Sequence, residues 1–300
     1  MAEKRDRWAE WLLERRQGSA DEEAYRRTLD TLRPVRERVL DNAALRERDV
    51  LLDVGAGDGL IAFGALDRLG PAGHVIFSDV SQDLLDVCRA RLDGDSRAEF
   101  VLASAEDLSP IGDESVDVVT TRSVVIYLDR AAKERAFREF FRVLRPGGRL
   151  SMFEPINVFG CEDRRREFFG LKTGPVADLA EKVMAAYDER APGEKTLIDF
   201  DERDLLGWAE AAGFSEVRLE YEARIIHGVA FAWDKDEESP PWETFLNMSG
   251  NPLAPTLAEV LDEALTPEER ERFVAHVRPA YEAREGTSRM ASAYLRAVKS

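Results

Sequence analysis

The stretch Leu51–Leu60, LLDVGAGDGL, sets the narrowest limits on what this chain can fold into. An apolar run ends in an acid, and three glycines follow at alternate positions. The run reads as a buried strand, and glycines at its end demand a sharp turn. Glycine has no Cβ, so it accepts left-handed backbone angles and lets another molecule approach the main chain closely. A strand that runs out at Asp53, turns through Gly55, Gly57 and Gly59 and enters a helix at Leu60 builds a ligand crevice. That crevice lies at the carboxyl end of the first strand of an open α/β sheet.

The glycine spacing narrows the ligand. A dinucleotide loop has the form G-x-G-x-x-G, whose third glycine packs the helix on the strand. Here that place is taken by Leu60, and the pattern is D-x-G-x-G-x-G. Asp58 inside the loop repels a phosphate, and with Asp53 it suits a ligand carrying positive charge. No Gly-Lys-Ser/Thr follows, which excludes a P-loop.

At these residues the chain resembles the class I S-adenosylmethionine (SAM)-dependent methyltransferases, and later stations extend the resemblance. The second strand, HVIFSD, ends in Asp79, where the family has an acid that binds both ribose hydroxyls, with Val80 beside it. A carboxylate can accept two hydrogen bonds from a vicinal diol. The other reading is that Asp79, with Ser81, only starts the next helix. Ala105, Glu106 and Asp107 match the A-E-D-L segment that holds adenine. Ser104 stands where relatives often carry Asp, and a hydroxyl accepts more weakly there. FRVLRPGGRLSMFEP is a further match, chiefly structural.

The resemblance implies a Rossmann-like, seven-stranded, mostly parallel sheet with helices on both faces. It implies SAM as cofactor and S-adenosylhomocysteine (SAH) as product. Cofactor contacts are expected from Asp53, Gly55, Ala56, Gly57, Gly59, Asp79, Val80, Ser104, Ala105, Glu106 and Arg122. Tyr25 or Arg26 is expected at the methionine carboxylate. The overall look is nearest the small-molecule enzymes of the ubiquinone/menaquinone-methylating type.

Patterning around the core gives its additions. Trp8, Trp11 and Leu12 share a helix face, a second helix covers Asp21–Leu32, and Pro34 fits the first turn of a third that runs to Leu45. Alternating strands and helices run from Asp49 to Glu154, with Pro146-Gly147-Gly148 ending a helix before a strand at Arg149–Phe153. The expected organisation is a helical cap at 1–47, the SAM-binding core at 48–155 and a cap insertion at 156–199. Core completion at 200–225, a helical substrate-cap insertion at 226–287 and a final antiparallel edge strand at 288–300 follow. The insertions carry Phe159, Phe168, Phe169, Phe231, Trp233, Trp242 and Phe245, which suit either an apolar acceptor pocket or packing of the cap itself.

Composition excludes several classes. The formal charge of −17 lacks the basic footprint of a nucleic-acid binder. Two cysteines, Cys88 and Cys161, without a Cys-x-x-Cys, give neither a zinc site nor a disulfide framework. No tight His/Asp cluster points to a metal. The charged start MAEKRDRWAEWLLERR is no signal peptide, and no run reaches the ~20 apolar residues of a membrane span. The reading is a cytoplasmic protein of undetermined oligomeric state.

Methyl transfer from a sulfonium is an in-line displacement, so positioning dominates, and a general base is needed only where the acceptor must lose a proton. The weak candidates for such roles are His227, Tyr127, Arg122 and Glu154. The plainer readings are a salt bridge for Arg122, a core aromatic for Tyr127 and a structural hydrogen bond for Glu154. The leading function is methylation of a small, apolar or aromatic metabolite at O, N or C. A peptide or protein methyltransferase and a SAM-binding sensor without turnover are the alternatives.

Overall fold

The computed structural model describes residues 5–18, 22–92, 94–161, 167–228 and 239–300. Strands β1 (Val50–Val54), β2 (His74–Asp79), β3 (Ala98–Leu102), β4 (Val116–Arg122), β5 (Leu144–Pro155), β6 (Glu216–His227) and β7 (Thr287–Val298) form one sheet in the order β3-β2-β1-β4-β5-β7-β6. The first five are parallel, and β7 runs antiparallel to both of its neighbours.

After the short α1 (Arg7–Glu10), helices α2 (Glu22–Ala43), α3 (Leu60–Arg68) and α4 (Gln82–Arg91) cover one face through Val39, Leu40, Ile61, Ala65 and Leu85, packed on Leu51, Phe77 and Val118. Helices α5 (Arg130–Val143) and α7 (Glu202–Ala212) cover the other through Phe137, Phe140, Leu205 and Trp208. This double cover is what strands as uniformly apolar as β1 require.

Three expectations change. The second and third N-terminal helices are one helix, α2, with Pro34 inside it. Proline removes an internal hydrogen bond, but Val39, Leu40 and Ala43 beyond it are fully buried, and Ser151 Oγ donates to the Val39 carbonyl at 2.7 Å. Burial of that face holds the helix through the proline. Strand β5 starts at Leu144, before the Pro-Gly-Gly turn, because Gly147 N–H donates to the Lys299 carbonyl at 2.7 Å and Lys299 N–H to the Gly148 carbonyl at 3.0 Å. The last strand is not the edge. β7, with Ala291, Ala293, Tyr294, Leu295 and Ala297 buried, pairs along its length with β5 on one side and β6 on the other. β6, which displays Arg218, Glu220, Glu222 and Arg224, takes the edge instead.

The insertions after β5 and after β6 build one cap. From them come α6 (Ala177–Arg190), α8 (Trp242–Asn247), α9 (Leu257–Ala264) and α10 (Pro267–Glu282). These pack Phe168, Leu179, Val183, Trp242, Leu261, Phe273 and Val277 into a core separate from those of the sheet. Phe231 and Trp233 lie outside the described residues. No helix among the described residues is long and apolar enough to cross a membrane.

Lys133 ties the cap's base to the sheet. Its side chain is fully buried, and Nζ donates to the Leu128 carbonyl at 2.5 Å, the Thr196 carbonyl at 2.9 Å and Asp199 Oδ1 at 2.7 Å. Removing one partner of a buried ionic contact strands the other polar groups. Lys133→Met is therefore expected to lower unfolding free energy by about 3 kcal/mol, read from the urea midpoint at an unchanged m-value.

Candidate functional site

The glycine turn has the conformation its sequence demands. Gly55 and Gly59 have φ of +68° and +86°. A Cβ at Gly55 would stand 2.2 Å from Val124 Cγ2, and one at Gly59 would stand 2.3 Å from the Phe63 ring. Asp79 holds the turn in place: Gly57 N–H donates to Oδ2 at 2.8 Å and Ser81 N–H donates to Oδ1 at 2.9 Å. Burial pushes the Asp79 carboxyl up. A carboxylate has about four acceptor positions, so capacity remains on Asp79 for a ligand hydroxyl.

Above this turn opens a cavity of about 1570 Å³. Pockets for drug-sized ligands span roughly 300–1,000 Å³, so one cofactor leaves roughly 500 Å³ or more for a second molecule. One end is walled by Gly55, Gly57, Asp79, Val80, Ser104, Ala105 and Glu106. The middle is walled by Trp8, Trp11, Leu12, Arg16, Arg122, Ile126 and Tyr127. The far end reaches Phe159, Phe169, Met184, Tyr187, Phe245, Leu257 and Tyr281 at the cap. Of the aromatics expected in an acceptor pocket, Phe159, Phe169 and Phe245 line it, whereas Phe168 and Trp242 pack the cap core.

Several expected contacts stand off the cavity wall. Asp53 is buried in the sheet, where it accepts from Thr120 Oγ1 at 2.9 Å and Ala62 N–H at 3.1 Å, and burial pushes its carboxyl up to about 7. The Ala56 amide is turned back to the Ser78 carbonyl at 2.9 Å, and Gly59 caps α3. Tyr25 OH donates to Asp58 Oδ2 at 2.7 Å, and Arg91 donates to the Asp58 carbonyl at 3.1 Å. Asp58 is thus latched from behind the loop. Arg26 is exposed beside Glu23. His227 is exposed at the end of the edge strand, its Nδ1 3.2 Å from Thr287 Oγ1, because among the described residues that strand has no outer neighbour to bury it.

Glu154 is fully buried and does not line the cavity. Its carboxylate accepts from the N–H groups of Val124 at 2.9 Å, Val125 at 3.2 Å and Ile126 at 3.3 Å, which fixes the single turn Val125–Tyr127. Tyr127 does line the cavity, and burial pushes its phenol up to about 12.

One group was missed by the sequence reading. Arg16 lines the cavity, and its Nη2 is buried with no hydrogen-bond partner. Burial pulls the guanidinium down, and neighbouring Arg122 adds to this. Glu106 carries the complementary orphan, Oε2, also buried without a partner. The guanidinium of Arg122 makes no hydrogen bond or ion pair with a described residue. The signal for Arg16 was present: it follows Leu12 by four residues, a charge on an apolar helix stripe.

These features fit SAM. The glycine turn admits close approach, Asp79 has lone pairs for a ribose, Glu106 has an unpaired acceptor for an amino group, and Arg16 an unpaired donor for a carboxylate. A family model described as a methyltransferase domain matches residues 51–148. Arsenite methyltransferase of Halobacterium salinarum is 37% identical over 199 residues, 65% of this chain and 44% of its own length. Demethylmenaquinone methyltransferase of Clavibacter sepedonicus is 35% identical over 56% of this chain and 66% of its own. The ubiquinone/menaquinone biosynthesis C-methyltransferase of Neisseria meningitidis is 31% identical over 59% of this chain and 71% of its own. The chain belongs to the class I SAM-dependent methyltransferase family. It spans about half to two thirds of the first of these curated relatives. A Bacillus halodurans structure assigned as a methyltransferase shares the fold, with a TM-score of 0.53 and 21% identity over 88% of this chain and 98% of its own.

Two measurements probe this methyltransferase site. Asp79→Asn and Arg16→Met are each expected to weaken SAH binding by calorimetry about tenfold to hundredfold, the worth of a hydrogen bond to a charged group. Gly57→Val, with φ of +57° and Leu12 Cδ2 3.1 Å from the new Cβ, is expected to abolish it.

The second concerns pH. Burial raises the Glu154 carboxyl from 4.5 to about 7. The folded chain therefore holds a proton that the unfolded chain has released, and stability falls as pH rises from about 4.5 to about 7. Asp53 acts in the same direction. Glu154→Gln retains an acceptor oxygen and is expected to flatten the decline of the urea midpoint across that window.

Proposed function

We propose that this chain transfers a methyl group from SAM to a bulky, largely apolar organic molecule held between the sheet and the cap. The observation that carries the reading is the pair of buried orphan atoms, Glu106 Oε2 and Arg16 Nη2, on the wall of a cavity too large for the cofactor alone. An adenine amino group and a methionine carboxylate complement them. Asp79 binds the ribose, and Ser104 and Ala105 border the base. When bound, the cofactor supplies a methyl group already activated on a positively charged sulfur.

The chain's own part is to bind, align and dry the reactants. Trp8, Trp11, Ile126 and Tyr127 wall the middle of the cavity, where the two ligands would meet, and exclude water there. Near-attack alignment of this kind can contribute ~7–11 kcal/mol. Arg122, its guanidinium unpaired among the described residues, orients an electron-rich group of the acceptor. The aromatic and methionine side chains of the cap suit a flat apolar acceptor. Of the acceptors named for the relatives, demethylmenaquinone matches that wall in size and polarity better than arsenite.

The test is to incubate the purified chain with methyl-labelled SAM and a whole-cell extract holding both metabolites and proteins. Label is expected in an organic-extractable product, and Gly57→Val is expected to remove it. Label confined to precipitable material would make the chain a peptide methyltransferase. Bound SAH with no labelled product would make it a sensor.

A further inference from the structure

The N-terminal segment Asp6–Gly18 touches both ligand compartments at once. Its start is fixed to the cofactor side. Asp6 N–H donates to Asp83 Oδ2 at 2.7 Å, and Ser81 Oγ donates to Asp6 Oδ2 at 2.6 Å, two residues beyond Asp79. Ala9 and Leu12 bury against Leu84, and Leu12 lies over Gly57. The Trp8 ring meets Tyr127 edge-on at 5.1 Å.

Its end is fixed to the cap. Trp11 Nε1 donates to the Ser249 carbonyl at 2.9 Å, and Ser249 N–H donates to the Arg15 carbonyl at 2.9 Å. Arg15 Nη2 reaches both carboxylate oxygens of Glu259 on α9, at 3.1 and 3.0 Å. At Gly18 the backbone approaches the cap so closely that a Cβ would stand 2.4 Å from the Thr244 carbonyl. Between these anchors Trp8, Trp11, Leu12 and Arg16 face the cavity.

We propose that this segment is a strap through which cofactor exchange and closure of the acceptor cap are coupled. The proposal rests on the cofactor reading above. A cofactor on the glycine turn lies beneath Leu12 and Arg16, so it leaves when the strap lifts, and lifting breaks the cap contacts of Trp11 and Arg15. The converse follows from linkage: whatever factor the closed cap adds to cofactor affinity, bound cofactor adds to cap closure.

Arg15 and Glu259 test this, because neither lines the cavity. An exposed ion pair is worth ~0.2–1 kcal/mol, or about a 1.4- to fivefold change in an equilibrium. Arg15→Gln and Glu259→Gln are expected to raise the SAH dissociation rate by such factors in stopped flow, with the double variant no faster than the quicker single one. Glu259→Gln keeps a side-chain oxygen to accept from the Thr256 N–H, so the cap of α9 survives. Arg15→Glu is expected to raise the rate further. Saturating SAH is also expected to slow hydrogen exchange at residues 242–264 in the unaltered chain and to do so less in Arg15→Glu. Equal dissociation rates across variants that bind SAH, or cap exchange indifferent to SAH in the unaltered chain, would overturn the coupling and leave the cofactor reading standing. Failure of the unaltered chain to bind SAH would overturn both.

Discussion

The hydrogen bond from Gly57 N–H to the Asp79 carboxylate joins the two strands on which the whole site is built. β1 delivers the glycine turn and β2 delivers the acid, and neither holds its position alone. The turn runs through left-handed backbone angles that cost little only for glycine. Asp79 fastens it with one oxygen and fastens the start of α4 through Ser81 with the other. A carboxylate spent wholly on ligand would leave that turn loose, and one spent wholly on backbone would leave nothing for a ribose. The remaining lone pairs let one group do both.

Buried carboxylates repeat this division of labour along the sheet. Asp53 joins β1 to β4 and the start of α3, and Glu154 gathers three amides after β4. Each stands at the carboxyl end of a strand, where the chain leaves regular pairing and its amides lack partners. Their burial is costly, which is why both titrate near neutrality. In this chain the acids at the strand ends are as much a scaffold as a candidate ligand set.

The core was legible because its signals are local. Glycine spacing, an acid at the end of an apolar run and capping residues such as Thr266 each act within a few residues, and the helix after Thr266-Pro267 begins as its capping box dictates. What escaped the sequence depends on distant packing. Pro34 breaks a helix in isolation but not one pinned to a sheet. Whether the last strand ends the sheet is decided by β6, some seventy residues earlier, whose charges suit an edge. The resemblance implies Tyr25 at the methionine carboxylate, yet its hydroxyl is taken by Asp58. Arg16 was passed over because a lone arginine in a charged segment looks ordinary until its surroundings are dry.

The bond between Trp11 and Ser249 spans 238 residues. At ~5–20 residues per second, the ribosome makes the second partner roughly 12–48 s after the first. For that interval the indole has no Ser249 carbonyl to dock on. Contacts closed over such distances come late in folding, because the intervening chain must first be ordered. The strap around Trp11 is thus among the last elements to reach its native place. A nascent chain halted before Ser249 would leave the Trp11 indole without that partner, a ready target for a chaperone.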